Sequence, residues 1–247
     1  MTLHLKRDGG LVRARAWGPG CGWALERVPA LLGLHDDPAA FATSDGRITS
    51  LARRWRGVRL SRSPWVHDGL AEYVLQQRVT FRDAVRAQRR LVQALSPEAP
   101  GPPGLRLPLA PSDWQRLRSD DFRRAGIDGQ RERTLRAAAR EARRIDAAFG
   151  RPAADARAVL ASVPGCGPWT VEIAMGFVLG DPDAVPTGDL HLPHEVAWVL
   201  AGEARGSDRR MLELLRPFAG QRFRVLRLLL AAGRVHLGRA LPRTRTG

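Results

Sequence analysis

The sequence predicts a mainly α-helical protein that begins with a small antiparallel β element. From residue 21 onward, apolar residues recur at helical spacing, and Ser, Thr or Asp precedes many of the apolar runs, as at helix starts. Residues 1–20 instead alternate apolar and polar side chains around the turn signal Asp8-Gly9-Gly10, which is typical of a β-hairpin. Because a two-stranded ribbon is marginally stable alone, we expect it to pack on the helical domain, 21–247, or to be the remnant of a larger sheet.

Two of the predicted helices are long and amphipathic. One is capped by Thr80, and its apolar side is marked by Phe81, Val85, Leu91, Val92 and Leu95. The other runs from Gln130 to Phe149 as one helix with six arginines, and its apolar side is formed by Leu135, Ala138, Ala142 and Ile145. A proline- and glycine-rich break over 96–113 predicts a loop between two helical lobes. Further helices are predicted over 45–54, 64–77, 157–163, 169–179, 193–200, 208–218 and 222–237.

The charge of the chain favours a polyanionic partner. The 40 Lys and Arg side chains against 25 Asp and Glu give a net charge of +15, and nucleic acid is the first partner that such an excess indicates. Cys21 and Cys166 are too few for a four-thiolate metal site or a disulfide framework and fit a reduced compartment. With no signal peptide or membrane-spanning run evident, we expect a cytoplasmic, nucleoid-associated protein.

The segment 163–170, VPGCGPWT, is the most informative motif. Its two glycines permit positive φ and a close approach of the backbone to another surface, and Pro168 fits the first position of a helix. The free amide N–H groups and the dipole of that helix would make an anion site suited to a DNA phosphate. A tight turn without a ligand is the alternative for the motif alone. The residues expected to contact DNA here are Val163, Pro164, Gly165, Cys166, Gly167, Trp169 and Thr170.

One carboxylate, that of Asp189, follows this motif closely in the sequence. Asp189 lies nineteen residues after Thr170, just before a predicted helix. Aspartates commonly cap helix starts, so a cap is one interpretation of Asp189. The other interpretation is a catalytic carboxylate, which the resemblance described next implies, and the two roles are compatible.

These residues resemble the helix-hairpin-helix DNA glycosylase superfamily. The match runs from Leu160 through Thr170 and then over Pro186-Thr187-Gly188-Asp189, the spacing that the superfamily uses for its catalytic aspartate. Within it, the sequence is most similar to the AlkA-type branch, 3-methyladenine DNA glycosylase II, also at 22–38 and 73–80. The resemblance covers about residues 20–237. It implies a helix-hairpin-helix glycosylase fold of two helical lobes, with the helix-hairpin-helix at about 156–180.

The resemblance implies a monofunctional DNA glycosylase that excises alkylated, cationic purines in base excision repair. Such a base is already a good leaving group, so a carboxylate that stabilises the oxocarbenium-like sugar or orients water suffices, once the base has left the stack. Relatives that nick the strand through a Schiff base carry a lysine just before the hairpin threonine. That position is Trp169 here, and Lys6 is the only lysine, so we expect no lyase activity.

The resemblance also assigns a base pocket. Trp169 matches an aromatic position that suits a cationic base, although a core tryptophan is an equal alternative. Ile173 and Leu229 stand where the AlkA-type branch has a tyrosine and a tryptophan, so the pocket is expected to be less aromatic. Tyr73 is a further candidate wall.

Gln77 and Arg78 fall where the family inserts a side chain into the gap left by the flipped base. An arginine would be an unusual wedge, because that role is normally apolar, and a surface arginine on a phosphate is the alternative.

His191, His194 and Glu195 lie close together in the sequence. The spacing of the two histidines offers no convincing third ligand, so no side-chain metal site is expected. Hairpins of the superfamily often hold a monovalent cation on backbone carbonyls, and no other cofactor is implied. We expect a monomer that binds double-stranded DNA containing damaged bases. The alternative function is a non-catalytic helix-hairpin-helix protein that recognises damaged or distorted DNA.

Overall fold

The computed structural model describes residues 1–233, which form a small sheet followed by fourteen helices. The sheet consists of β1 (Thr2–Asp8) and β2 (Leu11–Trp17). The helices are α1 (Cys21–Glu26), α2 (Val28–Leu31), α3 (Gly46–Arg54), α4 (Val66–Leu75), α5 (Phe81–Leu95), α6 (Pro111–Arg116), α7 (Ser119–Ala125), α8 (Gly129–Arg140), α9 (Ala142–Asp146), α10 (Ala153–Ala161), α11 (Pro168–Phe177), α12 (Leu192–Ala201), α13 (Asp208–Leu215) and α14 (Arg222–Ala231). The predicted fold class, mainly α with a small N-terminal antiparallel element, is confirmed. The last predicted helix, 222–237, reaches beyond the described residues.

The N-terminal ribbon is a hairpin that packs on the helical part. β1 and β2 pair antiparallel, from Thr2 opposite Trp17 to Asp8 opposite Leu11. The turn uses Gly9 and Gly10 at positive φ, as their position between the strands predicts. The ribbon contacts α1, and the Trp17 ring lies so close to Gly101 that a Cβ there would come within 2.8 Å of it. Among residues 1–233 no third strand joins the sheet.

One hydrophobic core runs through the helices, and α4 lies near its centre. Val66, Leu70 and Val74 on α4 are fully buried, and this helix contacts α5, α8, α9 and α11. The last described helix, α14, packs against α3. This arrangement brings the end of α4 against the start of α11, where the candidate site lies. The division into two lobes stays a prediction. No helix among residues 1–233 is long and apolar enough to cross a bilayer.

The predicted helix from Gln130 to Phe149 is interrupted. Glu141, with φ −99° and ψ 11°, separates α8 from α9. The four apolar residues predicted for its buried side are all buried. One of its arginines is buried as well: Arg131 donates hydrogen bonds to the carbonyl oxygens of Leu75 at 3.0 Å and Gly126 at 2.8 Å. The six arginines of this segment are therefore not all on its solvent-facing side.

The prediction for α5 was right about its cap and partly wrong about its buried face. The Thr80 hydroxyl accepts the Asp83 amide hydrogen bond at 3.2 Å. The buried residues are Ala84, Ala87 and Leu91, whereas Phe81, Val85 and Leu95 are exposed. The two small alanines let α5 approach its neighbours closely. The side of the helix that carries them is therefore buried, and the side with the larger apolar residues is exposed.

Candidate nucleic-acid interface and active site

The segment between α10 and α11 forms a tight hairpin. Gly165 adopts φ +89°, which is in the left-handed region, whereas Gly167 has φ −80° and extended backbone. A Cβ on Gly165 would overlap the Thr134 hydroxyl of α8. Gly165 is therefore required both by its backbone conformation and by the close approach of α8. The expectation of positive φ does not hold for Gly167.

The hairpin presents several backbone donors at the surface. The amide groups of Gly165 and Gly167 donate no hydrogen bond to any described residue, whereas the Cys166 amide donates to the Val163 carbonyl at 3.0 Å. Helix α11 begins at Pro168 and has no side-chain cap, so the amides of Trp169 and Thr170 in its first turn have no helical acceptor. These donors and the helix dipole form a site where an anion would be stabilised.

The side chains of the hairpin mostly face inward. Val163 and Thr170 are 2% exposed, and Cys166 is 9% exposed. Burial raises the pKa of the Cys166 thiol to about 12. These three side chains hold the hairpin on the core, so a ligand at this surface would meet their backbone and the exposed residues Pro164, Gly165 and Gly167.

Gln77 joins the end of α4 to the hairpin. Its side-chain amide donates to the Gly165 carbonyl at 3.0 Å and lies 2.8 Å from the Thr170 hydroxyl oxygen. The expectation that Gln77 contacts DNA as a wedge does not fit this arrangement, because the amide is already held by two hairpin acceptors. Gln77 instead fixes the position of the hairpin relative to α4.

Arg78 follows Gln77 in the turn between α4 and α5. It is exposed, and it has no hydrogen bond or ion pair with the described residues. With φ +58° it is the one non-glycine residue among 1–233 at positive φ. That conformation costs a non-glycine residue about 1–2 kcal/mol, and such strain is typical of functional positions. Of the two wedge candidates, only Arg78 projects freely.

Asp189 is held on both of its carboxylate oxygens. The Trp169 indole N–H donates to Oδ2 at 2.8 Å. The amides of His191 and Leu192 each donate to Oδ1 at 2.9 Å. Asp189 thus closes the turn that leads into α12, whose N-cap residue is His191. The carboxylate orientation is fixed from two sides, beside the exposed hairpin.

The loop before Asp189 is fastened by a second aspartate. Asp208, at the start of α13, accepts the Gly188 amide hydrogen bond at 2.9 Å through Oδ2. Gly188 adopts φ +83°. The sequence predicts only a helix start at 208, and nothing local to this position indicates the contact. Asp208 thus supports the backbone that presents Asp189.

Three aromatic side chains extend away from Asp189 along α4 and α11. We call Tyr73, Trp169 and Phe177 the aromatic cluster. The ring centroids of Tyr73 and Trp169 are 6.5 Å apart, and those of Tyr73 and Phe177 are 6.2 Å apart. All three residues are partly exposed. Burial, with a smaller effect from Glu72, raises the pKa of Tyr73 above its usual range. The cluster provides aromatic surface next to the carboxylate.

Two residues expected in the base pocket lie in the core instead. Ile173 is 2% exposed and Leu229 is fully buried. Ile173 sits on the buried side of α11 and Leu229 on the buried side of α14, so neither has surface at which a base could stack. The aromatic surface in this region comes from Tyr73, Trp169 and Phe177, which continue through the Phe177–Phe223 ring contact at 5.0 Å.

Arg227 of α14, which no sequence motif indicates, completes this region. The guanidinium of Arg227 on α14 lies 5.0 Å above the Phe177 ring. Burial lowers the pKa of Arg227, and nearby Tyr73 acts weakly in the opposite direction. The sequence contains one signal for this residue, because Arg227 interrupts the apolar run of α14. Its position beside Phe177 depends on how α4, α11 and α14 pack together.

A basic groove adjoins the hairpin on its other side. Arg133 and Arg140 of α8, seven residues apart and both exposed, border a groove of about 350 Å³ with Pro164 and Gly165. Neither arginine pairs with a carboxylate among the described residues. Arg136 lies in the same groove, but it is held by Glu132 and by the carbonyls of Gln115 and Leu117. The groove extends the positive surface of the hairpin.

One of the two histidines near Asp189 is held by a backbone hydrogen bond. His194 Nδ1 accepts the Gly206 amide hydrogen bond at 3.0 Å. Among the described residues no group of three or more His, Cys, Asp and Glu could hold a metal ion. For the monovalent cation expected on the hairpin, the Val163 and Gly165 carbonyls each already accept one hydrogen bond, and that cation stays a prediction.

The chain is similar in sequence to a protein that carries the name AlkA. It is 31% identical over 176 residues to the probable bifunctional transcriptional activator/DNA repair enzyme AlkA of two Mycobacterium tuberculosis strains. The match covers 68% of this chain and 35% of that protein, so the chain spans only about a third of the length of these relatives. No protein-family model matches the chain.

Solved structures show the same fold. The 3-methyladenine DNA glycosylase from Archaeoglobus fulgidus superimposes with a TM-score of 0.75 at 20% identity, over 92% of this chain and 81% of that one. The Clostridium acetobutylicum 8-oxoguanine glycosylase/lyase bound to DNA gives 0.70 at 12% identity, over 94% and 82%. The chain therefore resembles AlkA in sequence and helix-hairpin-helix DNA glycosylases in fold.

Proposed function

We propose that this protein, which resembles AlkA-type helix-hairpin-helix DNA glycosylases, is a monofunctional DNA glycosylase that excises alkylated purines in base excision repair. The observation that carries the proposal is the placement of Asp189. Its carboxylate is oriented by Trp169 and by two backbone amides, and it stands beside an exposed set of hairpin donors. One element would grip the DNA backbone while the other faces the sugar of a flipped nucleotide.

The chemistry requires little more than this carboxylate. The C1′–N bond breaks, its electron pair leaves with the base, and positive charge develops on the sugar. Asp189 stabilises that charge and orients the water that adds to C1′, and this water loses a proton to solvent as the abasic sugar forms. The hydrogen bonds to both of its oxygens hold the carboxylate in place, so little reorganisation is needed during the reaction.

The hairpin and Arg78 would position the DNA. The amides of Gly165, Gly167, Trp169 and Thr170 suit a phosphate of the damaged strand. Arg78, exposed and strained at the turn between α4 and α5, would enter the space left by the flipped base. Gln77 links the two elements, so the grip on the backbone and the insertion would share one rigid frame.

Hydrolysis without strand cleavage is proposed from the absence of a suitable amine. The position before Thr170 is Trp169, and Lys6, the one lysine of the chain, lies exposed on β1. Borohydride should therefore trap no covalent adduct between the protein and damaged DNA. A trapped adduct would contradict this part of the proposal and leave base release intact.

The decisive experiment measures base release by wild type and by Asp189→Asn. Duplexes carrying 3-methyladenine, 7-methylguanine, hypoxanthine, ethenoadenine or uracil are incubated with each protein, and abasic sites are counted. We expect wild type to release at least one damaged purine, and Asp189→Asn to lose about 100-fold or more, as when one strong transition-state interaction is removed.

Two controls make the result specific. Asp155→Asn removes the same charge from an exposed position on α10, and it should act like wild type. Binding of a duplex with a tetrahydrofuran abasic analogue should be kept by Asp189→Asn, because the hairpin is unchanged. If wild type binds this duplex but releases no base from any substrate, the protein is a non-catalytic DNA-binding protein.

A further inference from the structure

We propose that Arg157 is a positioning residue that keeps Asp189 in place for base release. The inference rests on the proposed glycosylase function and adds to it a residue that acts on Asp189 through other groups. It starts from a guanidinium that joins the helix before the hairpin, the helix after it and the segment 181–189, which ends at Asp189.

Arg157 binds two carboxylates that come from different parts of the chain. Its Nε donates to Glu172 Oε1 at 2.6 Å, and its Nη2 donates to Glu172 Oε2 at 3.3 Å and to Asp181 Oδ2 at 2.5 Å. Arg157 lies on α10, Glu172 on α11, and Asp181 in the segment that follows α11. One side chain therefore connects both helices that flank the hairpin to the start of the segment 181–189.

Glu172 extends this connection toward Asp189. Its Oε2 also accepts the Val185 amide hydrogen bond at 3.2 Å. Glu172 lies three residues after Trp169 on α11, so the two side chains share one face of the helix, and Trp169 donates to Asp189. The chain is thus attached to α11 at residue 185 and again at residue 189. Because Arg157 fixes the Glu172 carboxylate, it also fixes the first of these attachments.

Asp181 holds the other end of the segment. Its amide donates to the Met175 carbonyl at 2.9 Å, and its Oδ1 accepts the Asp183 amide hydrogen bond at 2.9 Å. Arg222 of α14 donates to Asp183 Oδ1 at 2.7 Å. Within residues 1–233, the ion pair of Asp181 is with Arg157. The turn that starts the segment therefore depends on Arg157 to neutralise its carboxylate.

The two carboxylates need the guanidinium in order to lie side by side. The side chains of Asp181 and Glu172 are 8% and 18% exposed, so water screens their charges little. Two such charges repel each other, and a buried carboxylate without a partner is unfavourable. Without Arg157 we expect Glu172 and Asp181 to move apart. The Val185 amide then loses its acceptor, and Asp189 is displaced with the segment.

The same contacts leave Arg157 little capacity to bind DNA. Its side chain is 34% exposed, and two of its three guanidinium nitrogens donate to carboxylates. Arg133 and Arg140 of the basic groove differ, because neither pairs with a carboxylate in the described part of the chain. Loss of Arg157 should therefore act on the chemical step and not on DNA affinity.

The test measures the chemical step and DNA affinity separately. Single-turnover base release from a duplex treated with dimethyl sulfate, which contains 7-methylguanine and 3-methyladenine, is measured at saturating protein for wild type and Arg157→Gln. We expect the variant to be slower by about tenfold, since a small displacement of a catalytic group has effects of this size. Its affinity for the tetrahydrofuran duplex should stay near that of wild type. Backbone hydrogen exchange over 182–189 should be faster in the DNA-free variant.

Two further variants make the result specific. Arg47 of α3 also joins distant parts of the chain, through hydrogen bonds to Asp45 at 3.1 Å and to the Leu200 carbonyl at 3.0 Å. Arg47→Gln should therefore lower the unfolding temperature and keep the wild-type release rate. Arg157→Lys keeps the charge without the forked geometry, and it should slow release by about threefold or more. It replaces Arg157→Gln in the comparison if that variant does not fold.

The possible outcomes separate this inference from the proposed function. If Arg157→Gln weakens DNA binding and keeps the release rate at saturation, Arg157 is a DNA contact and the inference is wrong. Equal losses of rate in Arg157→Gln and Arg47→Gln would also overturn it, because general destabilisation would then explain both. A loss in Asp189→Asn without a loss in Arg157→Gln overturns the inference alone. If Asp189→Asn releases bases as fast as wild type, the proposed function fails, and the inference fails with it.

Discussion

The hairpin and the aromatic cluster both depend on α11, but they are built differently. The hairpin comes from contiguous residues, and it offers backbone donors whose positions are set by Gly165 and Pro168. The cluster takes one residue from α4 and two from α11, Arg227 of α14 lies against it, and it offers side chains. The difference implies that the hairpin tolerates side-chain changes where no contact forbids them, whereas the cluster is sensitive to the chemistry of each side chain.

Replacing each hairpin glycine by alanine gives the largest expected contrast. Gly165→Ala places a Cβ at positive φ and onto Thr134. We expect it to lower the free energy of unfolding by about 2–4 kcal/mol, from backbone strain and overpacking together. Gly167→Ala meets no atom within 4 Å and keeps an ordinary φ, so it should change stability by less than about 0.5 kcal/mol. Urea unfolding measures both.

Thr134→Ala separates the two causes in Gly165→Ala. It removes the hydroxyl that the new Cβ would overlap, so the double variant should recover the overpacking part and keep the backbone strain. A double variant as unstable as Gly165→Ala alone would mean that contact with α8 is not the reason why position 165 requires glycine.

The contrast also explains what the sequence could predict. The cap of α5 at Thr80, the hairpin and the turn that Asp189 closes before α12 are local, because a few neighbouring residues determine each of them. The positions of Ile173 and Leu229 in the core and of Arg227 beside Phe177 depend on how α4, α11 and α14 pack. A single sequence contains the helical periodicity of each segment but not the rotation of one helix against another.

The next largest effect is expected for the hydrogen bond between Trp169 and Asp189. Trp169→Phe keeps an aromatic ring and removes the indole N–H that donates to Asp189. We expect base release to slow by about tenfold, since a hydrogen bond to a charged group contributes roughly 1.5–3 kcal/mol. Affinity for abasic-analogue DNA should stay near wild type. The control is Trp198→Phe, at a 62% exposed position on α12. Unchanged release by Trp169→Phe would show that Asp189 needs no indole to orient it.

A smaller effect is expected where the two regions are joined. Gln77→Glu replaces the amide donor with a carboxylate that faces the Gly165 carbonyl. The free energy of unfolding should fall by about 1–2 kcal/mol, because an acceptor then lacks its donor, and affinity for DNA should fall with it. Gln76→Glu adds the same charge one residue earlier and controls for electrostatic repulsion of DNA. Equal effects of the two variants would mean that the hydrogen bonds from Gln77 to the hairpin do not account for the loss.

The smallest effect is expected for each arginine of the basic groove, and it concerns salt dependence. If Arg133 and Arg140 each neutralise one DNA phosphate, then Arg133→Gln or Arg140→Gln should reduce the slope of log affinity against log salt by about 0.9. Base release at saturating DNA should not change, since neither side chain is near Asp189 in the contacts described. Arg53→Gln on α3 serves as the matched loss of an exposed arginine. A slope that stays at the wild-type value in both groove variants would confine the DNA contact to the hairpin backbone and Arg78. The contrast would then be sharper, with affinity set by backbone donors and selectivity by the side chains of the cluster.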